Sequence, residues 1–469
     1  MARLSSAPGS RDRGFITSLI TWLLLVIVFI ATLVLNGFPI IDHDSQRYLP
    51  TLIGTTPFSL SPQRAALIPL LLNEVPFRLF GIMGIPIFAI LMMSWALTLL
   101  LQELARVFVD QPHRRRFFCL YGVMVVALLS FLPVLAISVL SEPWSVVAFS
   151  LVFVVLLSRK ISVSVALALF LTGASHSTNL IILSVAVLVS LVLSGLDREH
   201  LKVSFIVLAL LVGGGTLDRG LFLYTQGESP RVRYSFVGAA ILNFYPKVYE
   251  DFCGHVPNSL LCRQDLKEFV TRNQRPEDYS KSRFLWSPTK ICKDLPGADG
   301  VPHDAMISLD DYERESAAMV GFIAGHPIRY GSYILGIVAR KITALFSQSD
   351  FYAHPYNLSI DSVREPWASS LVVRSINKSP VILVLCTLSR IVVVGSLVVM
   401  IGAVFVRGRW SALSQPQRTA LVLAIVIYAA NLFIYGSIEA TLSRYHYRAY
   451  FFIPLIAYAL AWRMRSKRN

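Results

Sequence analysis

Charge is scarce in this chain: only 15% of its 469 residues are charged, and its 28 acidic residues are outnumbered by 43 basic ones. Soluble domains carry roughly 25% charged and about 45–50% apolar residues. At 55% hydrophobic, with a mean hydropathy of +0.60, this chain is too apolar to be two or three soluble domains, and most of it belongs in lipid. Cysteine is scarce too, five in all, and no two are spaced Cys-x-x-Cys. That excludes a disulfide-built scaffold and a zinc ribbon. No basic stretch is interleaved with aromatics to grip nucleic acid, although the formal charge of +15 would point there in a soluble protein. Internal repeats and low-complexity tracts are also lacking.

What is present is a series of long apolar runs. A spanning helix needs about 20 mostly apolar residues to cross a hydrocarbon core about 30 Å thick. Ten stretches qualify, several of the middle ones short: 15–35, 80–101, 118–140, 144–157, 161–174, 179–193, 203–223, 381–406, 419–435 and 450–462. The first follows Arg3, Arg11 and Arg13 and lacks a small-residue cleavage site, so it reads as a retained helix rather than a signal peptide.

Lys and Arg in short loops stay on the cytoplasmic side. With the N-terminus inside, the inside connections hold Arg106 with Arg114, Arg115 and Arg116, then Arg159 and Lys160, then Arg198 and Lys202. Arg407, Arg409 and Arg418 follow, and finally Arg463, Arg465, Lys467 and Arg468. Every inside connection is basic, which supports the count of ten and turns much of the net charge into an orientation signal. The expectation is a polytopic α-helical protein of the cytoplasmic (inner) membrane with both termini in the cytoplasm.

Three parts follow from the spans. Residues 1–223 form an N-terminal transmembrane module with a first outer loop at 36–76, residues 224–379 a mixed or mainly helical outer region between spans 7 and 8, and 380–469 a C-terminal transmembrane module. The outer region holds Cys253, Cys262 and Cys292. An oxidising compartment favours a disulfide there; Cys253 with Cys262 is the pair closest in sequence, although three cysteines do not fix the connectivity. Residues 310–323 read as a helix. Residues 328–346 read as an amphipathic helix carrying Arg329, Arg340 and Lys341, lying along the outer membrane surface or facing a core.

The residues suited to chemistry begin with Ile41-Asp42-His43-Asp44-Ser45-Gln46-Arg47-Tyr48, directly after the first span. In an extended segment Asp42 and Asp44 point the same way. Such a pair holds a divalent cation such as Mg2+ or Mn2+ through its oxygens, or one Asp acts as general base while the other orients an acceptor hydroxyl. The competing reading makes Asp44 or Ser45 a helix cap and leaves Asp42 solvated. The topology puts further polar groups at the same face: His176 in Ser175-His176-Ser177-Thr178-Asn179, Glu142 and Trp144 at another turn, and a last turn containing Glu439, Arg444, His446 and Arg448. Ionisable groups at membrane depth are costly and mark sites when they persist. His176 also suits a plain hydrogen bond between helices. Arg444 and Arg448 also suit snorkelling to headgroups. Four apart on a helix they share a face, and two guanidiniums side by side bind phosphate or pyrophosphate.

This combination resembles the GT-C superfamily of integral membrane glycosyltransferases. The likeness rests on Asp42-His43-Asp44 with Ser45 and Tyr48 after the first span, the multi-span body, the large outer region, and Ser443-Arg444-Tyr445 followed by Phe451-Phe452-Ile453-Pro454-Leu455. It implies a GT-C-like fold and transfer of a sugar from a polyprenyl phosphate or pyrophosphate to a glycan, lipid or protein acceptor at the outer face. Carried over, Asp42 or Asp44 takes the acceptor's proton and Arg444 or Arg448 steadies the lipid phosphate. His43, Tyr48, His176, Glu439 and His446 complete the expected substrate contacts. No Trp-Trp-Asp string occurs, which argues against protein N-glycosylation. Two other readings stay open. A polymerase or ligase of lipid-linked glycans would use outer Arg and His residues. A lipid or solute transporter would be expected to show repeats and mid-membrane polar groups.

Overall fold

The computed structural model describes residues 9–36, 67–129, 131–139, 141–173, 175–226, 234–274, 307–347, 380–405, 410–438 and 443–466. In chain order the helices are α1 Gly9–Asn36, α2 Leu67–Leu72, α3 Arg78–Phe80, α4 Gly84–Phe108, α5 Pro112–Leu129, α6 Leu132–Ala136, α7 Glu142–Ser158, α8 Val163–Gly173, α9 Ser177–Leu193 and α10 Arg198–Gln226. They continue with α11 Ser235–Phe244, α12 Pro246–His255, α13 Gln264–Asn273, α14 Leu309–Gly325, α15 Pro327–Ser347, α16 Pro380–Phe405, α17 Gln415–Ile438, α18 Ser443–Tyr450 and α19 Phe452–Ser466. No strand occurs among the described residues.

Four helical stretches are long and apolar enough to cross a membrane: Gly14–Leu35, Gly84–Phe108, Arg198–Tyr224 and Gln415–Ile434. Shorter apolar helices cover Glu142–Ser158, Val163–Gly173, Thr178–Leu193 and Ile391–Gly402. The chain is a helical membrane protein. Its surface agrees with lipid as solvent. On α1, Leu25, Phe29 and Leu33 recur every four residues as a buried stripe, while Phe15, Ile16, Leu19, Ile20, Ile27 and Leu35 are exposed. In water those side chains would oppose folding; hydrocarbon accepts them as readily as a protein core does.

The chain divides into two compact units. The first comprises Met1–Thr225, Ser349–Ala430 and Tyr447–Asn469. Its central helix is α7, apolar nearly all round and buried from Glu142 through Phe153, as a helix enclosed by others must be. It packs against α4, α8 and α9, while α4 also meets α1 and α5, and α16 lies on α19 and α5.

One end of this unit is stitched together by polar contacts. Arg106 donates to Glu103 at 2.9 Å and to the Leu157 carbonyl at 3.4 Å. Arg159 pairs with Asp197 at 2.7 Å, and Arg463 with Asp110 at 3.7 Å. Gln417 donates to the Val107 carbonyl at 2.9 Å and Gln415 to that of Leu193 at 3.3 Å. The basic connections after α4, α7 and α9, the start of α17 and the end of α19 therefore share the end of the unit where α7 finishes.

Two sequence expectations are refined here. The stretch 118–140, read as one span, is broken: α5 ends at Leu129, Phe131 takes a left-handed conformation (φ 59°), and α6 restarts at Leu132 with Pro133 in its first turn. A proline lacks the amide hydrogen needed mid-helix but fits a helix start. The run 450–462 begins later, because α18 closes at Tyr450 and α19 opens at Phe452.

The second unit comprises Gln226–Gln348 and Asn431–His446, whereas the sequence reading placed the outer region at 224–379. Its core gathers Phe244, Tyr249, Phe252, Leu261, Val270, Tyr312, Met319 and Tyr330. Cys253 and Cys262 are joined in a disulfide with their Cα atoms 5.2 Å apart. Beside that link the buried Tyr249 hydroxyl donates to the Leu261 carbonyl at 2.6 Å. Ser308 caps α14 by accepting from the Asp311 amide at 3.0 Å. On α15, Tyr330, Ile337 and Val338 are buried while Ile328 and Leu335 are exposed, so one face of this amphipathic helix meets the core.

Candidate functional site

At the opposite end of α7 from the basic seam, polar groups from three helices meet inside the first unit. The helix starts there with Ser141-Glu142-Pro143-Trp144-Ser145, its proline in the first turn. Glu142 and Ser145 are both buried, and the Ser141 hydroxyl donates to the Glu142 carboxylate at 3.5 Å. Three residues apart, Glu142 and Ser145 lie one turn apart on the same side of α7.

The second contributor is the start of α9. His176 is its cap, in extended backbone (φ −149°, ψ 132°), with Nδ1 accepting from the Thr178 amide at 3.4 Å. An amide nitrogen only donates, so Nδ1 carries the lone pair and the ring hydrogen sits on Nε2. Asn179, fully buried one position on, donates through Nδ2 to the Ser145 hydroxyl at 3.1 Å and to the Ser175 hydroxyl at 3.0 Å. Its Oδ1 is buried without a partner among the described residues.

The third is Arg448 on α18. Its side chain is fully withdrawn from solvent. One nitrogen donates to the Ser145 hydroxyl at 3.4 Å, the other to the Thr178 hydroxyl at 2.9 Å, and the guanidinium lies 5.5 Å from the centre of the Phe149 ring. Thr178 Oγ1 lies 2.9 Å from His176 Nδ1. Because that nitrogen is an acceptor, the Thr178 hydroxyl donates to it while accepting from Arg448. The proton-donating order is Arg448, Thr178, His176, and such a chain of bonds polarises each member.

Beside Arg448, the Tyr447 ring stacks on Phe131, centroids 4.0 Å apart. A non-glycine residue held at positive φ costs of order 1–3 kcal/mol and persists where its surroundings over-determine it. Here the break in the expected span presents the ring against which α18 seats.

Of the residues singled out by sequence, the structure brings His176 and Arg448 together. Arg444 and His446 share α18 with Arg448, and their backbone is all that is described of them. Asp42, His43, Asp44, Tyr48 and Glu439 lie outside the described residues. Among the described residues no group of three or more His, Cys, Asp or Glu gathers as a metal centre. Sequence reasoning passed over Ser145, Phe149, Thr178 and Asn179. Ser145, Thr178 and Asn179 carried a signal, a hydroxyl or amide in the first turn of an otherwise apolar helix; Phe149 carried none.

Against known proteins the chain matches no family model, no curated protein and no solved structure.

Proposed function

We propose that the chain is a membrane glycosyltransferase that moves a sugar from a polyprenyl-phosphate-linked donor to a glycan, lipid or protein acceptor on the outer face of the cytoplasmic membrane. The observation carrying the reading is the buried Arg448, fixed by Ser145 and Thr178 at the end of α7 remote from the basic seam. The positive-inside rule assigns the basic end to the cytoplasm, which leaves Arg448 at the outer end of a ten-span bundle. The disulfide between Cys253 and Cys262 fits an oxidising compartment for the second unit.

The chemistry follows from that placement. Nucleotide sugars are cytoplasmic, so a donor met at the outer face is lipid-linked. A carboxylate of Asp42 or Asp44, with or without Mg2+ or Mn2+ between them, takes the proton of the acceptor hydroxyl as its oxygen attacks the anomeric carbon. The bond to the lipid phosphate breaks, and a fixed guanidinium stabilises the charge left on that phosphate. Arg448 needs no reorganisation for this, because its hydrogen bonds are already in place. Arg444, one turn earlier on α18, supplies the second cation.

The deciding experiment is the glycan and glycolipid profile of cells lacking the protein, complemented with the wild type, Asp42→Asn or Asp44→Asn. Loss of one glycoconjugate, restored by the wild type and by neither variant, is the expected result. Full restoration by both variants overturns the reading. A lipid-linked glycan polymerase or ligase is the second reading, favoured by the His176–Thr178–Arg448 chain itself; its signature is a requirement for His176 and Arg448 with the two aspartates dispensable.

A further inference from the structure

Two histidines in the second unit stand apart from everything used so far. His255 occupies the last turn of α12, and His326 caps the C-terminal end of α14. Both are exposed, and their ring centres are 6.2 Å apart. Each ring is held the same way: Nδ1 of His255 lies 2.8 Å from the Asp251 carbonyl oxygen, and Nδ1 of His326 lies 3.0 Å from that of Phe322. A carbonyl only accepts, so both Nδ1 atoms carry the hydrogen and both Nε2 atoms present a lone pair. This is the reverse of His176. A backbone carbonyl on the far nitrogen is the arrangement that fixes the tautomer of metal-binding imidazoles and raises their basicity.

The surroundings favour a cation. Two helices bring their C-terminal ends, the negative poles of their dipoles, to one place. The Phe322 ring lies 5.3 Å from His255 and 5.0 Å from His326, an apolar wall beside both. The neighbouring Asp251 carboxylate is engaged elsewhere, accepting from Arg329 at 3.1 Å and Tyr330 at 3.0 Å. The spacing selects the geometry. With nitrogen–ion bonds of about 2.0–2.1 Å, ring centres 6.2 Å apart require a wide, near-trans nitrogen–ion–nitrogen angle, which square-planar or tetragonal Cu2+ and Ni2+ take and tetrahedral Zn2+ does not.

We propose that His255 and His326 bind one divalent transition-metal ion of the imidazole-preferring, tetragonal kind, Cu2+ or Ni2+, through their two Nε2 atoms. Among the described residues no third His, Cys, Asp or Glu completes the set, so water or an incoming ligand fills the other positions. The ion ties the end of α12 to the end of α14. It is distinct in chemistry from any Mg2+ or Mn2+ held by the oxygens of Asp42 and Asp44, and it stands or falls independently of glycosyl transfer.

The test uses the full chain in detergent, stripped with EDTA, titrated calorimetrically with Cu2+, Ni2+ and Mg2+, alongside His255→Gln, His326→Gln and the double variant. The wild type is expected to bind one more transition ion than the double variant, each single variant to weaken that ion at least tenfold, and Mg2+ to leave the site empty. Ni2+ is expected to raise the melting temperature of the wild type and not of the double variant. Equal ion number and affinity in wild type and double variant overturns the proposal. Should a variant melt early in EDTA, the wild type alone decides: Cu2+ or Ni2+ must bind it and raise its melting temperature, and the failure of both to do so overturns the proposal.

Discussion

The guanidinium of Arg448 donates to the hydroxyl of Thr178 at 2.9 Å, across 270 residues of chain. That bond joins α18 to the start of α9, and through Thr178 it reaches His176.

Arg448→Lys keeps the charge but loses the planar fork that spans two hydroxyls. A hydrogen bond from a charged group is worth about 1.5–3 kcal/mol. Glycoconjugate formation is expected to fall at least roughly tenfold, measured as product in membranes normalised to the amount of protein. Wild-type output from Arg448→Lys removes Arg448 from the phosphate role.

Thr178→Val preserves shape and deletes the hydroxyl, which removes one hydrogen bond from the buried guanidinium and one from His176 Nδ1. The cost is expected to be about 1–3 kcal/mol, read as a lower melting temperature in detergent. Thr178→Ser retains the hydroxyl and should melt near the wild type. Identical melting of both variants separates this hydroxyl from stability.

Reduction of the Cys253–Cys262 link opens a short loop, nine residues apart in sequence. Loop-closure entropy puts the loss at about 2–3 kcal/mol. Melting with and without reductant, and of Cys253→Ala, should show the same downward shift, and reductant should do nothing further to the variant.

Alkali should destabilise the second unit through its buried tyrosines. Burial pushes the hydroxyls of Tyr249 and Tyr312 well above the usual tyrosine range. With the folded value raised, their contribution is complete below about pH 10, where unfolded tyrosine ionises, and is lost as pH rises toward the folded value. The slope is about 1.4 kcal/mol per pH unit for each tyrosine. Denaturant unfolding at rising alkaline pH should show it, and Tyr249→Phe should reduce it by one tyrosine's share.

Much of the scaffold was legible from periodicity and charge. The apolar runs became α1, α4, α7, α8, α9, α10, α16 and α17, because a membrane helix is specified by length and composition over many residues. The break at Phe131 was not, since the residues before it are as apolar as any span and Pro133 fits equally at a helix start. His176 and Arg448 were legible as costly residues at one face. Ser145 and Asn179 were not, because small polar residues are common within membrane helices. Their importance lies in partners 34 and 303 residues away, for Asn179 with Ser145 and Arg448 with Ser145 respectively.

The seam at the basic end and the polar cluster at the other have one thing in common: each is closed by side chains from residues 415–463 reaching back to α4, α7 and α9. A ribosome delivers those residues after the helices they fasten. During synthesis, therefore, the early helices enter the bilayer with Ser145, Thr178 and the Val107 carbonyl still lacking these partners, and the cation at the heart of the cluster arrives late. A chain halted before α18 has its anchors in place and no Arg448, so the buried cluster closes only once α18 has been made.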